Sequence, residues 1–278
     1  MASFDWYQAT VKAPVDDLLE GLMAGMYCPS IAHEKGHHGY AHATVIENDD
    51  GYRAKVWHGG SHQHPHALMS GESAQLGAEV LRAHFPQHHV TRADVREDFG
   101  DVGAFDRIAP HLLTIAEGHR VKVDTRGDHL LTMQGRTIYL GAPSSAVRLR
   151  LYDKAAELRA KLAQDPVKLA AVPEHLTRLE AQVRPQTREA RESFATIEPL
   201  AVMGSSLWLR KLWHLVAAEH LEPVQVGKGF RQTDDDRAYA YMLAQYGQML
   251  RRRAQEVGWC CVGLQIGDDL NEREKARG

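Results

Sequence analysis

The chain has 278 residues, of which 44% are hydrophobic and 25% charged, a composition typical of a globular protein with a sizeable core. A formal net charge of −3 and a sequence pI of about 6.6 argue against a non-specific nucleic-acid coat protein, although an enzyme with a local basic groove stays compatible with them. No apolar run is long enough to span a membrane, no signal-peptide pattern is present, and three cysteines without a C-x-x-C motif suit a reducing compartment, so we expect a cytoplasmic protein without membrane contact.

The predicted elements alternate strands with helices. Aromatic and β-branched residues predict a first strand at 4–11, and Pro14 opens a helix that runs to about residue 26. A histidine-rich segment, residues 33–66, carries short strand candidates between glycine turns. The later elements in chain order are a helix from Ser73 to 84, a strand at 90–99, a helix at 105–117, short strands at 120–124 and 136–140, a strand from 147, a helix at 155–169 interrupted by Pro166, a strand at 176–184, and helices from about 193.

This order predicts an α+β fold with a largely antiparallel central sheet, flanking helices and a helical C-terminal part. We place a catalytic and DNA-binding domain at residues 1–190 and a helical C-terminal region at 191–278.

Three predicted strands carry polar residues at every second position. A sheet whose other face is apolar would gather these residues into one charged surface. The alternative is a solvated sheet face whose opposite charges pair across neighbouring strands. The three sets are Arg92, Asp94, Arg96 and Asp98; Arg148, Arg150, Tyr152 and Lys154; and Arg178, Glu180, Gln182 and Arg184.

The charged surface suits phosphate chemistry. A tyrosine in line with three cations, as Tyr152 is, favours a nucleophile beside a phosphate. Asp94 and Glu180 are the best candidates for binding Mg²⁺ or Mn²⁺, which prefer carboxylate oxygens, and Asp98 is a weaker third. The alternative is that each acid pairs with a neighbouring arginine.

The histidines offer a different kind of site. His62, His64 and His66 alternate and could share the face of an edge strand, where Pro65 is tolerated. A metalloenzyme acting on a small molecule is therefore an open alternative, with His66 kept as a possible ligand. Most of the 17 histidines are expected on the solvated surface. The motifs of P-loop NTPases, serine hydrolases and zinc proteases do not occur in the sequence.

Several segments together resemble the replication initiation factor family, the rolling-circle initiators of plasmids and filamentous phages, to which relaxases of integrative conjugative elements are related. The resemblance spans about residues 4–184. Its segments, in the family's order, are Phe4-Asp-Trp6, Pro65-His-Ala-Leu-Met-Ser-Gly71, Thr91-Arg-Ala-Asp94-Val-Arg-Glu-Asp98, Thr137-Ile-Tyr-Leu-Gly141, Leu149-Arg-Leu-Tyr152-Asp-Lys154 and Arg178-Leu-Glu180-Ala-Gln-Val-Arg184.

The resemblance implies an HUH-nuclease-like fold and a site-specific nickase that stays attached to origin DNA through a 5′-phosphotyrosine. By position, the resemblance implies that Tyr152 is the nucleophile, with Lys154 beside it. It also implies that Asp94 and Glu180 bind the divalent metal, Mg²⁺ or Mn²⁺. Lys154 and Arg150, together with a nearby metal, are expected to favour the phenolate. The implied partners are single-stranded or extruded origin DNA and a host helicase and polymerase. The expected DNA-binding residues are Arg92, Arg148, Arg150 and Arg178.

The sequence also departs from the family. The loop Gly141-Ala-Pro-Ser-Ser145 lacks the family's basic residues, and Arg96 stands where an apolar residue is usual. Two further alternatives therefore stay open. One is a conjugative relaxase with the same chemistry, and the other is a non-catalytic DNA-binding regulator on this scaffold.

Overall fold

The structure is a computed structural model that describes residues 2–24, 29–227 and 234–275. The predicted end of the first helix near residue 26 lies outside these residues. Within the described residues the strands, in chain order, are β1 (Ser3–Thr10), β2 (Ser30–Lys35), β3 (His42–Glu47), β4 (Arg53–His58), β5 (His66–Ser70), β6 (His89–Phe99), β7 (Val123–Arg126), β8 (Thr137–Leu140), β9 (Val147–Asp153) and β10 (Thr177–Val183).

These strands form one antiparallel sheet. Its order is β2-β3-β4-β5-β1-β6-β10-β9-β8-β7. The helices are α1 (Val15–Ala24), α2 (Ser73–His84), α3 (Ala104–Gly118), α4 (Lys154–Lys161), α5 (Pro166–Ala170), α6 (Arg188–Ser193), α7 (Leu207–Ala217), α8 (Asp234–Val257) and α9 (Trp259–Lys275), with a short 3-10 helix at Leu200–Ser205 before α7. The predicted α+β fold with a largely antiparallel sheet and a helical C-terminal part is confirmed.

One face of the sheet is apolar and forms the core. Leu179 pairs with Leu151 and Ala181 with Leu149 across β10 and β9, and all four side chains are buried. Helices α1, α2 and α3 and the 3-10 helix contact the sheet, and their apolar side chains join the same buried cluster. The other face of the central strands carries the alternating polar residues, because successive side chains of a strand point to opposite sides.

Local sequence signals account for the helices around β9. Asp153 ends β9 and caps α4, since its Oδ1 accepts a hydrogen bond from the Ala156 amide at 2.9 Å. Asp165 and Pro166 start α5 separately, as the proline predicted. Ser73 does not cap α2, because its Oγ accepts the Arg53 amide at 2.7 Å instead.

The chain divides into two compact units, residues 1–228 and 229–278. In the first, residues from α6 to α7 pack into the core of the sheet, through Phe194, Val202 and Leu212. In the second, α8 and α9 form a helical pair separated by Gly258, whose φ of 82° lies in the left-handed region that favours glycine. The division of roles at residue 190 stays a prediction. Within the described residues no helix is long and apolar enough to cross a membrane.

Candidate active site

The three predicted polar strands are neighbours in the sheet. Strand β10 lies between β6 and β9, so the register brings their polar residues side by side. One charged surface therefore forms, as the alternating pattern predicted. Its cross-strand neighbours are Arg178 with Asp98 and Tyr152, Glu180 with Arg96 and Arg150, and Gln182 with Asp94 and Arg148.

Tyr152, Glu180 and Arg150 form a hydrogen-bonded cluster at the centre of this surface. The Tyr152 hydroxyl donates to Oε2 of Glu180 at 3.4 Å. Arg150 Nη2 donates to the same carboxylate oxygen at 2.6 Å and to the Tyr152 hydroxyl at 3.2 Å. The Arg150 guanidinium also lies 4.3 Å from the centre of the Tyr152 ring. One carboxylate oxygen and one guanidinium therefore hold the phenol group.

The electrostatics of this cluster keep the phenol protonated. Burial raises the pKa of Tyr152 above its ordinary value, and the negative charge of Glu180 raises it further, while Arg150 opposes the change. Arg150 thus favours the phenolate as expected, but burial and Glu180 outweigh it, and the expected contribution of a metal stays a prediction. Burial also raises the pKa of Glu180, so this carboxylate is a stronger base than an exposed glutamate.

Lys154 does not lie on the polar strand face. Strand β9 ends at Asp153, and Lys154 is the first residue of α4, so the predicted continuation of the strand to residue 154 is wrong. Its Nζ donates to Glu157 at 2.9 Å and lies 5.6 Å from the centre of the Tyr152 ring. Lys154 is thus close to the phenol ring, without a hydrogen bond to its hydroxyl.

Asp94 is buried one strand away from β10, on β6. Arg92 Nε donates to Asp94 Oδ1 at 2.9 Å, and Gln182 Nε2 donates to Oδ2 at 3.3 Å. The Arg92 guanidinium stacks on the ring of Trp6, 4.3 Å from its centre. Burial raises the pKa of Asp94 despite its pairing with Arg92. The alternative that each acid pairs with an arginine describes both Asp94 and Glu180 in this structure.

The donor set suits a hard divalent cation only in part. No group of three His, Cys, Asp or Glu side chains able to hold a metal ion occurs among the described residues. Asp94 and Glu180 lie close enough that the charge of Asp94 contributes to raising the pKa of Glu180, which a cation between them would reverse. Mg²⁺ is commonly bound by one or two carboxylates with waters. Both acids are paired with arginines here, so a site of this kind at Asp94 and Glu180 stays a prediction.

Arg178 is a buried link between three strands. Its Nε and Nη2 donate to the two oxygens of Asp98 at 2.6 and 2.8 Å, and its Nη1 donates to Asp5 at 2.9 Å. The side chain is 5% exposed. Its guanidinium is fully engaged by two carboxylates, so DNA contact by Arg178, which the sequence predicted, has no support in this geometry.

Two of the three alternating histidines, His62 and His66, are held by different protein groups. His66 opens β5 and is buried, with Gln8 Nε2 2.8 Å from its Nε2 and Thr10 Oγ1 2.9 Å from its Nδ1. His62 stacks on Tyr40 with ring centres 4.1 Å apart. Both nitrogens of His66 are thus used by protein groups, which removes support for it as a metal ligand.

Asp5 and Trp6 belong to the site. They stand in the segment Phe4-Asp-Trp6 that resembles the family, but strand alternation did not predict their contacts with the site. A β-bulge between Phe4 and Trp6 shifts the register of β1 against β6. Asp5 consequently reaches Arg96 and Arg178, while the adjacent Trp6 lies under Arg92. Strict alternation places two adjacent residues on opposite faces, so only a bulge explains both contacts.

Neither a protein-family model nor a curated protein sequence matches the chain. Among solved structures, the chain is similar to the rolling circle replication initiator protein from Geobacillus stearothermophilus, with a TM-score of 0.51 and 18% sequence identity. The match covers 82% of this chain and 99% of that chain. At this identity the likeness shows a shared fold, which agrees with the fold expected from the sequence.

Proposed function

We propose that this protein initiates rolling-circle DNA replication by nicking one strand of an origin through Tyr152. The observation that carries the proposal is the Tyr152 hydroxyl, which hydrogen-bonds Glu180 and Arg150 on the polar face of the sheet. The fold shared with a rolling-circle initiator supports it. The protein would act in the cytoplasm. Its substrate would be single-stranded or extruded origin DNA, because the nucleophile needs in-line access to the phosphate.

The proposed reaction is a transesterification. Tyr152 Oη attacks the scissile phosphorus and gives its proton to Glu180, the carboxylate that already accepts its hydrogen bond. The bond from phosphorus to the 3′-oxygen breaks, and that oxygen leaves as a 3′-hydroxyl after taking the proton that Glu180 received from Tyr152. The 5′-phosphotyrosine keeps the energy of the phosphodiester for later rejoining. The free 3′-hydroxyl would prime a host polymerase, with a host helicase separating the strands.

Arg150 stabilises charge in this scheme. The entering phosphate would draw its guanidinium away from Glu180, which frees the carboxylate as a base and places a cation beside the developing negative charge. The same movement opens access to Tyr152, whose side chain is 4% exposed before DNA binds.

A divalent ion is the cofactor we propose, Mg²⁺ or Mn²⁺, held by Asp94 and Glu180. Both protein hydrogen bonds to Glu180 from described side chains use Oε2, which leaves Oε1 for a further ligand. When bound, the ion would neutralise charge on the scissile phosphate.

The test is a nicking assay on a circular plasmid that carries the protein's own gene neighbourhood, with Mg²⁺ or Mn²⁺. We expect nicked plasmid with protein attached to its 5′ end. Tyr152→Phe should abolish the adduct, while Tyr139→Phe should keep it. Tyr139 is the matched control because it lies on neighbouring β8 and packs against Arg148 as Tyr152 packs against Arg150. Adduct formation by Tyr152→Phe would contradict the proposal.

A second candidate is a DNA-binding regulator without catalysis. The burial of Tyr152 and the pairing of Asp94 and Glu180 with arginines favour it. It predicts binding without any adduct, with or without metal. A conjugative relaxase, the third candidate, predicts the same adduct at a transfer origin instead of a replication origin.

A further inference from the structure

Three arginines, Arg92, Arg148 and Arg184, lie on neighbouring strands at the end of the polar face away from Tyr152. Gln182 lies opposite Asp94 on β6 and opposite Arg148 on β9. Two residues further on, the backbone N–H of Arg184 donates a hydrogen bond to the carbonyl oxygen of Ala146 at 2.8 Å. The pairing of β10 with β9 thus continues to the residue that precedes β9. The antiparallel register therefore sets Arg184 beside Arg92 and diagonal to Arg148.

The positive charge of this group exceeds its local negative charge. Asp94 pairs with Arg92. Arg184 donates through Nη1 to the carbonyls of Pro143 and Ser145, at 3.0 and 3.3 Å, and has no carboxylate partner among the described residues. Burial lowers the pKa of Arg184, and repulsion from Arg92 and Arg148 lowers it further. Three guanidinium groups beside one carboxylate leave an excess of positive charge, which a bound anion would neutralise.

Arg148 has hydrogen-bonding capacity that the protein does not satisfy. Its Nε is buried and has no hydrogen-bond partner in the described part of the chain. Its guanidinium stacks on Tyr139, 4.2 Å from the ring centre. A buried donor without a partner is unfavourable, and a bound acceptor would satisfy it.

We propose that Arg92, Arg148 and Arg184 form a second phosphate subsite, which binds a backbone phosphate of single-stranded DNA several nucleotides from the phosphate cleaved at Tyr152. This inference rests on the proposed function for its position on the substrate. Arg148 and Tyr152 are four residues apart on one strand, a separation of about 13 Å. The subsite would fix the register of the strand, so its arginines are positioning residues.

The geometry suits a phosphodiester because the guanidinium groups are held before the ligand arrives. Trp6 supports Arg92, Tyr139 supports Arg148, and two backbone carbonyls hold Arg184. Planar guanidinium forks match phosphate oxygens in pairs, and prior positioning lowers the entropy lost on binding.

Binding of fluorescent oligo(dT) to a Tyr152→Phe background at several salt concentrations tests the subsite. Arg184→Gln should weaken binding about tenfold and reduce the slope of log affinity against log salt by about one. Arg159→Gln is the matched control, because Arg159 also donates to two backbone carbonyls, those of Pro173 and Glu174, but on α4. Equal affinity and slope for both variants would overturn the proposal. Arg148→Gln should repeat the Arg184→Gln result if the latter variant folds poorly.

A methylphosphonate scan locates the subsite on the nicked strand. One neutral linkage, several nucleotides from the scissile phosphate, should weaken binding as much as Arg184→Gln does. The two changes combined should weaken it no more than either does separately. Additive losses at every position, while the parent protein still forms its adduct, would overturn the subsite and leave the nickase proposal intact. If the parent protein forms no adduct while the two changes still weaken binding less than additively, the nickase proposal would be overturned and the subsite would remain.

Discussion

The Tyr152 hydroxyl lies 3.4 Å from Oε2 of Glu180 and donates a hydrogen bond to it. Both groups are buried, and the charge of Glu180 raises the pKa of Tyr152. The negative charge of Glu180 helps to hold the proton on the phenol. In the proposed reaction the same carboxylate would remove that proton when a phosphate arrives. In the proposed reaction, Tyr152 would therefore stay inactive until the arrangement around Glu180 changes.

Glu180→Gln should lower the pKa of Tyr152 and slow nicking. Removing the carboxylate charge removes a cause of the raised pKa, while the base for the reaction is lost. We expect the tyrosine to titrate at lower pH by ultraviolet difference spectroscopy, with the Tyr152→Phe signal subtracted. Nicking should fall about 10²- to 10⁴-fold.

Glu157→Gln is the control for this change, because Glu157 pairs with Lys154 and makes a weaker contribution to the pKa of Tyr152. Equal nicking rates for Glu180→Gln and the parent protein would rule out Glu180 as the base.

Arg178→Met should destabilise the fold far more than Arg184→Met. Arg178 joins Asp5 and Asp98 at the centre of the sheet, and its loss leaves two carboxylates without their partner. We expect a loss of about 3 kcal/mol in the free energy of unfolding, measured in urea. Arg184 has no carboxylate partner within the described residues, so its removal should cost less than about 1 kcal/mol. Equal losses would contradict the structural role of Arg178.

Arg92→Gln should tighten the binding of Mn²⁺. Arg92 occupies the oxygens of Asp94 that an ion would need, so guanidinium and metal compete for one carboxylate. Titration calorimetry should show a severalfold lower dissociation constant in Arg92→Gln and no binding in Asp94→Asn. Weaker binding in Arg92→Gln would mean that the ion does not use Asp94.

His66 should make the protein less stable in acid. Burial lowers the pKa of His66 to about 4 in the folded protein, from an ordinary value of 6.5. The unfolded chain therefore takes up the proton first as pH falls, so stability is complete above pH 6.5 and is lost progressively towards pH 4. Between these pH values the free energy of unfolding should fall by about 1.4 kcal/mol per pH unit for the uptake of one proton.

Urea unfolding between neutral and acidic pH measures this effect against His66→Gln, which cannot titrate. Other histidines with lowered pKa values, such as His58 and His88, are present in both proteins and cancel in the difference. The same pH dependence in both proteins would show that His66 is not the group responsible.

The sequence predicted the fold and the polar face well because both depend on simple periodicity. In β6, β9 and β10 the alternation of polar and apolar residues defines which side chains share a face. The apolar residues that alternate with the polar ones form the core. Pro166 and Asp165 likewise mark a helix start that local chemistry decides.

The pattern failed where tertiary contacts or irregular backbone decide the outcome. Lys154 follows the alternation of β9, yet Asp153 caps a helix there and ends the strand. Asp5 reaches the site through a β-bulge, which periodicity does not reveal. The raised pKa of Tyr152 depends on burial, a property of the assembled sheet that neighbouring cations in the sequence do not report.

The central claim is tested most directly by sequencing the peptide that carries DNA after the nicking reaction. The protein, incubated with its origin strand and Mg²⁺ or Mn²⁺, would be digested with protease and nuclease and analysed by mass spectrometry. The account predicts a 5′-phosphate linked to Tyr152. A link to Tyr139 or another residue, or nicked DNA with no attached peptide, would contradict it.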